Sequence, residues 1–363
     1  MSIQHYFSEN YSAAREKFKA ACKLNGAPVR SYAHPELDNT ETPLSTEVAW
    51  FGPRSAERLL VLVSGVHGVE ALPGAACQTG LVAGGHLQDL PADTAVLMVH
   101  IINCWGAVHL RRNTEGNVDL CRNFLDFSRP LPIRPEYDSI HALVNCADRT
   151  GPRRDAAAAE IAAFVRDKGM DAYIQALMGG QYQHPDGFSF GGTQPVWAHR
   201  TLNTILAEYG QQAREVCVVE FHTGLGPWAY GTAVTMHTAD DCMRARQWFG
   251  PWTVTPNQRE KGALADSYRV HGHTTEGYLR ALPRAEVTAI VLEYGTYPPQ
   301  DSLPVMLEDH WLTLHGDETI EAGREIKQRM LRLHYPQDPD WRQAVWDRSQ
   351  QVVAQAFRGL TAA

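Results

Sequence analysis

Leu59-Leu60-Val61-Leu62-Val63-Ser64-Gly65-Val66-His67-Gly68-Val69-Glu70 decides how this chain is read. The apolar run predicts a buried strand over Arg58–Ser64, and Gly65 lets the chain turn sharply at its end. The strand then delivers a His and a Glu three residues apart. His67 is aimed by the strand. The turn into a following helix, expected over Val69–Leu81, brings Glu70 back to the same point. Pro73 fits the first turn of that helix. Imidazole nitrogen and carboxylate oxygen are ligands that Zn2+ takes at ~2.0–2.2 Å. The pair predicts a metal-binding hook.

A third ligand is available. Val216-Cys217-Val218-Val219-Glu220-Phe221-His222 is a second apolar run ending in His, and Thr223-Gly224-Leu225-Gly226 lets the chain turn after it. In open α/β sheets, ligands bind beyond the carboxyl ends of strands. Two strand-end His residues can therefore meet. Two His and one Glu, with a fourth position open, form a catalytic rather than a structural zinc pattern. The competing view of His222, a buried His bonded to backbone, weakens beside His67 and Glu70. Glu220 shares a strand face with His222. It either orients that imidazole or pairs with an Arg.

More motifs follow in order. A strand expected over Ala95–Ile102 leads into Asn103-Cys104-Trp105-Gly106, then Arg111-Arg112-Asn113, then Val118-Asp119-Leu120-Cys121-Arg122-Asn123-Phe124. Later, Ala289-Ile290-Val291-Leu292-Glu293-Tyr294-Gly295 is an apolar strand closed by one acid. A buried carboxylate there is costly unless something in a cleft requires it. From roughly residue 45 to 295, this series resembles the zinc carboxypeptidases of the carboxypeptidase A type and their amidohydrolase relatives, which include aspartoacylases. The resemblance implies one Zn2+ held by His67, Glu70 and His222. It implies Glu293 as general base, Arg111 or Arg112 as oxyanion stabiliser, and Arg122 and Asn123 as grips on a substrate carboxylate. The implied activity is hydrolysis of an amide bond next to a carboxylate. The substrate is either a peptide C-terminus, as for a metallopeptidase, or an N-acyl amino acid, as for a deacylase. The chain departs from the pattern at Cys121, where the family has Asn, and at Cys104 and Trp105, where it has Pro and Asp. An inactive binding protein on the same scaffold would have a broken motif, but all three ligands and Glu293 are present.

Alternation of short apolar strands with helices predicts an α/β fold: a single mixed, mainly parallel twisted sheet with helices on both faces. The 363 residues, 44% of them hydrophobic, are enough for a substantial core. They read as a single catalytic domain, 1–363, with terminal helices 9–25 and 301–359 packed on the motif-bearing core. A net charge of −8 and no basic stripe argue against nucleic acid. No apolar run approaches ~20 residues, so no membrane span is expected. The N-terminus shows no secretory signal pattern. The seven Cys lack close pairs and fit a reducing cytoplasm.

Helices are also expected over 154–168, 197–209 and 240–249, and a strand over Ala233–His237. Gly187-Phe188-Ser189-Phe190-Gly191 matches the Gly-x-Ser-x-Gly elbow of serine hydrolases, but His184-Pro185-Asp186 before it make a poor strand. Ser189 is therefore read as a loop residue, and His271-Gly272-His273 likewise as a loop. The Gly179–Gly187 segment either lines the cleft or lies on the surface. Tyr268, Tyr278 and Tyr297 are candidate phenols facing a substrate.

Overall fold

Continuous apolar runs belong in strands covered on both faces, and that is where this chain puts them. A computed structural model describes residues 2–37, 41–236, 239–256 and 270–362. The strands are β1 (Val29–Leu37), β2 (Pro43–Phe51), β3 (Arg58–Ser64), β4 (Thr94–His100), β5 (Glu215–Gly224), β6 (Gly231–Val234) and β7 (Glu286–Gly295). They form one seven-stranded sheet in the order β1-β2-β4-β3-β5-β7-β6. β4, β3, β5 and β7 run parallel, while β1, β2 and β6 pair antiparallel at the edges. This is the mixed, mainly parallel sheet the sequence predicts.

Alternation along β3 splits its side chains between two cores. Leu60 and Leu62 pack with Phe18, Ala75, Leu81, Trp341 and Val352, from the helices Tyr11–Leu24, Ala71–Ala83 and Pro339–Ala362. Leu59, Val61 and Val63 pack with Leu202, Ile205 and Tyr278, from the helices Trp197–Tyr209 and Thr274–Ala281. A third cluster joins Val69 to Leu177, Leu303 and Met330. It brings the helices Met170–Met178, Pro299–His315 and Glu321–His334 against the end of β3.

The position of the site follows from topology. The chain leaves β3 toward β4 on one side, whereas β5 lies on the other side of β3. Connections therefore diverge between β3 and β5, the kind of crevice where open α/β sheets bind ligands. In the register, Ser64 stands opposite Phe221, and His222 stands opposite Glu293.

Some bounds differ from expectation. β4 stops at His100 because Ile101 takes a left-handed φ of 56°. A short 3-10 turn, Gly68–Glu70, precedes the helix Ala71–Ala83. The expected strand Ala233–His237 is Gly231–Val234, and His237 lies outside the described residues, as does Tyr268. The region 301–334 divides into two helices around 316–320. Among the described residues, no helix is long and apolar enough to cross a membrane.

His100 shows how tightly this core is closed. Its ring stacks on Phe18 at 4.2 Å, and Nδ1 lies 2.9 Å from Gln78 Oε1. Burial pushes its pKa down to about 3, below the ~6.5 of an unfolded His. Above pH 6.5 the ring is neutral in both states and the shift has no effect. As pH falls from 6.5 toward 3, only the unfolded chain takes the proton, so stability drops by ~1.4 kcal/mol per pH unit. Urea unfolding at pH 6.5 and pH 5 should show His100→Gln losing ~2 kcal/mol less than the wild type over that interval. Equal losses would mean that His100 titrates normally in the fold.

Candidate metal centre

Gly65 has a φ of +69°, a conformation that favours Gly, and it swings the chain out of β3. His67 then caps the short turn Gly68–Glu70. Backbone bonds from Gly68 N–H to Arg112 O (3.2 Å) and Val69 N–H to Arg111 O (2.9 Å) fix this turn against the Arg pair. The approach is close: a Cβ at Gly68 would stand 2.1 Å from the carbonyl carbon of Gly106.

The hook and the second strand end converge. Glu70 Oε1 lies 2.8 Å from His67 Nδ1, and Glu70 Oε2 lies 3.2 Å from His222 Nδ1. Glu70 Oε2 also accepts the N–H of Thr223 at 3.1 Å. The two imidazoles stand at 90° with centroids 5.0 Å apart. Each has a carboxylate behind it. His67 Nε2 lies 3.2 Å from Asp119 Oδ1. His222 Nε2 lies 3.4 Å from Glu220 Oε2, without hydrogen-bond geometry. Glu220 in turn accepts from Thr274 Oγ1 at 2.7 Å and from the Tyr278 hydroxyl at 2.6 Å. This backing by carboxylates is the arrangement that orients metal-binding imidazoles.

The electrostatics favour positive charge among these carboxylates. Burial alone would raise Glu70, but His67 and the hydrogen bonds from His222 and His67 hold it well below the usual carboxylate range. Burial alone would lower His222, but the carboxylates of Glu220 and Glu70 against its two ring nitrogens push it up to about 10. Asp119, buried beside Arg112 and Arg122, is also held well below its ordinary value. Glu293 goes the other way: burial lifts it to about 7 against the pull of His222, and its Oε2 has no hydrogen-bond partner. Imidazole nitrogen, thiolate sulfur and carboxylate oxygen are all donors that Zn2+ takes. Donor atoms of His67, Cys121 and His222 lie within 4.8 Å of one another, and Glu70 reaches the two imidazoles through separate oxygens. The chemistry of these donors fits Zn2+.

These groups line a cavity of about 290 Å3 with Arg112, Arg122, Cys121, His273, Glu293 and His334. Adjacent residues diverge at the Arg pair. Arg112 bonds Asp119 and faces the cavity. Arg111 turns to Thr313 and Glu318 and does not line it. Arg122 lines the cavity, but its Nε and Nη2 both bond Met178 O, at 3.1 and 2.7 Å, and Nη1 bonds Cys121 O at 3.0 Å. The Nε/Nη2 edge, one of the two a guanidinium can offer a carboxylate, is already used. Asn123 does not reach the cavity. Its Nδ2 bonds Gly191 O and Gln194 O, and its Oδ1 accepts from Val196 N and His199 Nδ1. The expected substrate contact at Asn123 is thus replaced by the anchoring of a loop.

Other candidates sort themselves. Tyr278 is fully buried behind Glu220, and Tyr297 packs edge-on against Trp228 outside the cavity. No strand leads into Ser189, whose backbone lies in the turn bridging Gln181 and Phe190. Sequence reasoning assigned no role to Asp119, although the residue sits inside the quoted motif. It missed His334 altogether, since nothing about a terminal helix pointed to the site. His273, a loop residue by sequence, caps the helix Thr274–Ala281 through Nδ1, which accepts Thr275 N–H at 3.2 Å.

A family model described as "Protein of unknown function (DUF2817)" matches residues 7–348. The chain belongs to this family. No curated protein matches it in sequence. Among solved structures, a carboxypeptidase A from Helicoverpa armigera superposes with a TM-score of 0.53 at 12% identity, covering 98% of this chain and 74% of that one. The bovine thrombin-activatable fibrinolysis inhibitor gives 0.45 at 11% identity, covering 96% and 99%. A succinylglutamate desuccinylase from a Silicibacter species gives 0.38 at 13% identity, covering 80% and 67%. The fold is thus that of carboxypeptidase A, as the motifs led one to expect.

The close contact at Gly68 generates a direct test. In Gly68→Ala, backbone must move beside His67, which should cost about 3 kcal/mol in urea unfolding and weaken zinc binding. A loss below ~1 kcal/mol with unchanged zinc affinity would show that the turns at 68 and 106 are not packed this way.

Proposed function

We propose that this protein is a zinc-dependent hydrolase that cleaves an amide bond next to a carboxylate, as a carboxypeptidase-like metallopeptidase. One observation carries the reading: Glu70 lies between two imidazole Nδ1 atoms, at 2.8 and 3.2 Å, with Glu293 paired opposite His222 on the next strand. His67, Glu70 and His222 would hold the ion. Zn2+ bound there would polarise a carbonyl and acidify a water. The cavity is lined from His67 to His334, in keeping with residues 1–363 working as one catalytic unit.

The residues then divide the work. Glu293, with an unpaired Oε2 and a pKa lifted to about 7, accepts a proton from the attacking water and returns it to the leaving amine. Arg112, held by Asp119, offers positive charge to the oxyanion. Asp119 and Glu220 orient the two imidazoles. Arg122 contributes charge to attract a carboxylate rather than a two-pronged grip, because Met178 O occupies its Nε/Nη2 edge. An N-acyl amino acid carries the same free carboxylate as a peptide C-terminus, so deacylation is a second reading that fits the site, with Cys121 and Arg122 side by side in the cavity wall. The free cysteines, mostly buried, suit a cytoplasmic enzyme.

Metal analysis of the purified protein should find one zinc per chain, lost in His67→Ala and His222→Ala. Zinc-loaded protein incubated with peptide and N-acyl amino acid panels should release product visible by mass spectrometry, and the panel that is cleaved decides between the two readings. Cleavage of internal peptide bonds alone would reject both. Glu293→Gln should keep its zinc and lose at least ~100-fold in kcat. Retained turnover would show that another group is the base.

A further inference from the structure

His334 ends the helix Glu321–His334, beyond the stretch whose motifs marked the site. It lines the same cavity as His67, Glu70, His222 and Glu293. Its Nδ1 lies 3.2 Å from the carbonyl oxygen of Thr223. A carbonyl only accepts, so Nδ1 carries the proton, and in the neutral ring Nε2 is a bare acceptor. That Nε2 is buried and has no partner. Buried polar atoms almost always have one, and an exception calls for an explanation.

Thr223 ties this ring to the candidate metal hook. Its N–H donates to Glu70 Oε2 at 3.1 Å, while its carbonyl holds His334. One residue of β5 thus sets both the carboxylate between the imidazoles and the orientation of the unpaired nitrogen. Glu70 cannot satisfy that nitrogen, since its carboxylate only accepts. His334 Nδ1 is 3.9 Å from Glu70 Oε1, so the ring stands beside the candidate centre in the cavity it lines. The missing partner must bring a hydrogen to donate.

We propose that His334 is a positioning residue whose Nε2 accepts the N–H of the substrate's scissile amide. This rests on the amide-hydrolase reading and adds to it a means of choosing substrates. An ester places an oxygen where an amide has its N–H, and so leaves Nε2 unpaired. The site therefore selects amides over esters of the same shape. A site built to hydrogen-bond a substrate N–H discriminates strongly against the analogue that lacks it.

The test compares a peptide with its matched depsipeptide, in which oxygen replaces the scissile N–H. Zinc-loaded wild type, His334→Phe and His334→Gln are assayed on both. His334→Phe should lower kcat/KM for the amide by about tenfold or more, mainly through KM, and change the ester less than about twofold. His334→Gln, which can place an oxygen acceptor nearby, should recover part of the amide loss. All three proteins should keep one zinc per chain. Equal losses on both substrates, no loss on the amide, or loss of zinc would overturn the proposal. Should the Phe variant not fold by circular dichroism, calorimetric binding to zinc-loaded Glu293→Gln protein decides: tighter binding of the amide supports the proposal, and equal affinities overturn it. If the wild type cleaves neither compound, the amide-hydrolase reading has failed, and the same calorimetry still reads the contact at His334.

Discussion

The carboxylate of Glu70 is the tie on which the site depends. One oxygen meets His67, and the other meets His222 and the Thr223 N–H. These partners come from separate strand ends, after β3 and on β5. The carboxylate is buried, so its charge needs partners. The partners in turn need the strands in register. Leu59 to Val63 and Val216 to Val219 are fully buried, and their packing on two faces holds that register. A one-residue slip of β5 would send His222 to the opposite face and leave the charge uncompensated.

Much of this was legible because parallel strands buried on both faces read as unbroken apolar runs. β3, β5 and β7 stand out for that reason, and so does the polar residue that ends each run. β1 does not stand out. It is an edge strand with mostly exposed side chains and a Pro, and its pattern resembles a loop. The helix Thr274–Ala281 was also missed: it is short, and buried Thr274, Thr275 and Tyr278 give it little apolar signature. The site shows the same division. His67, Glu70, His222 and Glu293 end or follow buried strands, which is a signal in one dimension. His334 arrives from a distant helix, and its meeting with Thr223 is a fact of three dimensions alone.

Roles within a motif are harder to read than the motif itself. Arg111 and Arg112 are adjacent and alike, and only the fold separates them: Arg112 turns toward Asp119, Arg111 toward Thr313 and Glu318. Arg122 and Asn123 occupy positions that suggested contact with substrate. Both spend hydrogen bonds on carbonyls instead, Arg122 on Met178 and Cys121, Asn123 on Gly191 and Gln194. A buried guanidinium must satisfy its donors within the protein. With Cys121 beside it, the nearby backbone has taken that role. Motif identity gives the residue type, whereas the choice between holding a loop and holding a ligand depends on which acceptors lie within reach.

The same reasoning explains why Glu70, Asp119 and Glu293, all near the two imidazoles, take different protonation states. Glu70 and Asp119 are surrounded by donors and stay ionised far below neutral pH. Glu293 has burial without a donor on Oε2, and Glu70 nearby adds repulsion, so its pKa rises to about 7. Carboxylates pushed apart in this way can serve different ends. Those already paired can hold a cation or aim an imidazole, but they cannot also accept a proton at neutral pH. Glu293 can do so because the fold leaves its Oε2 without a donor.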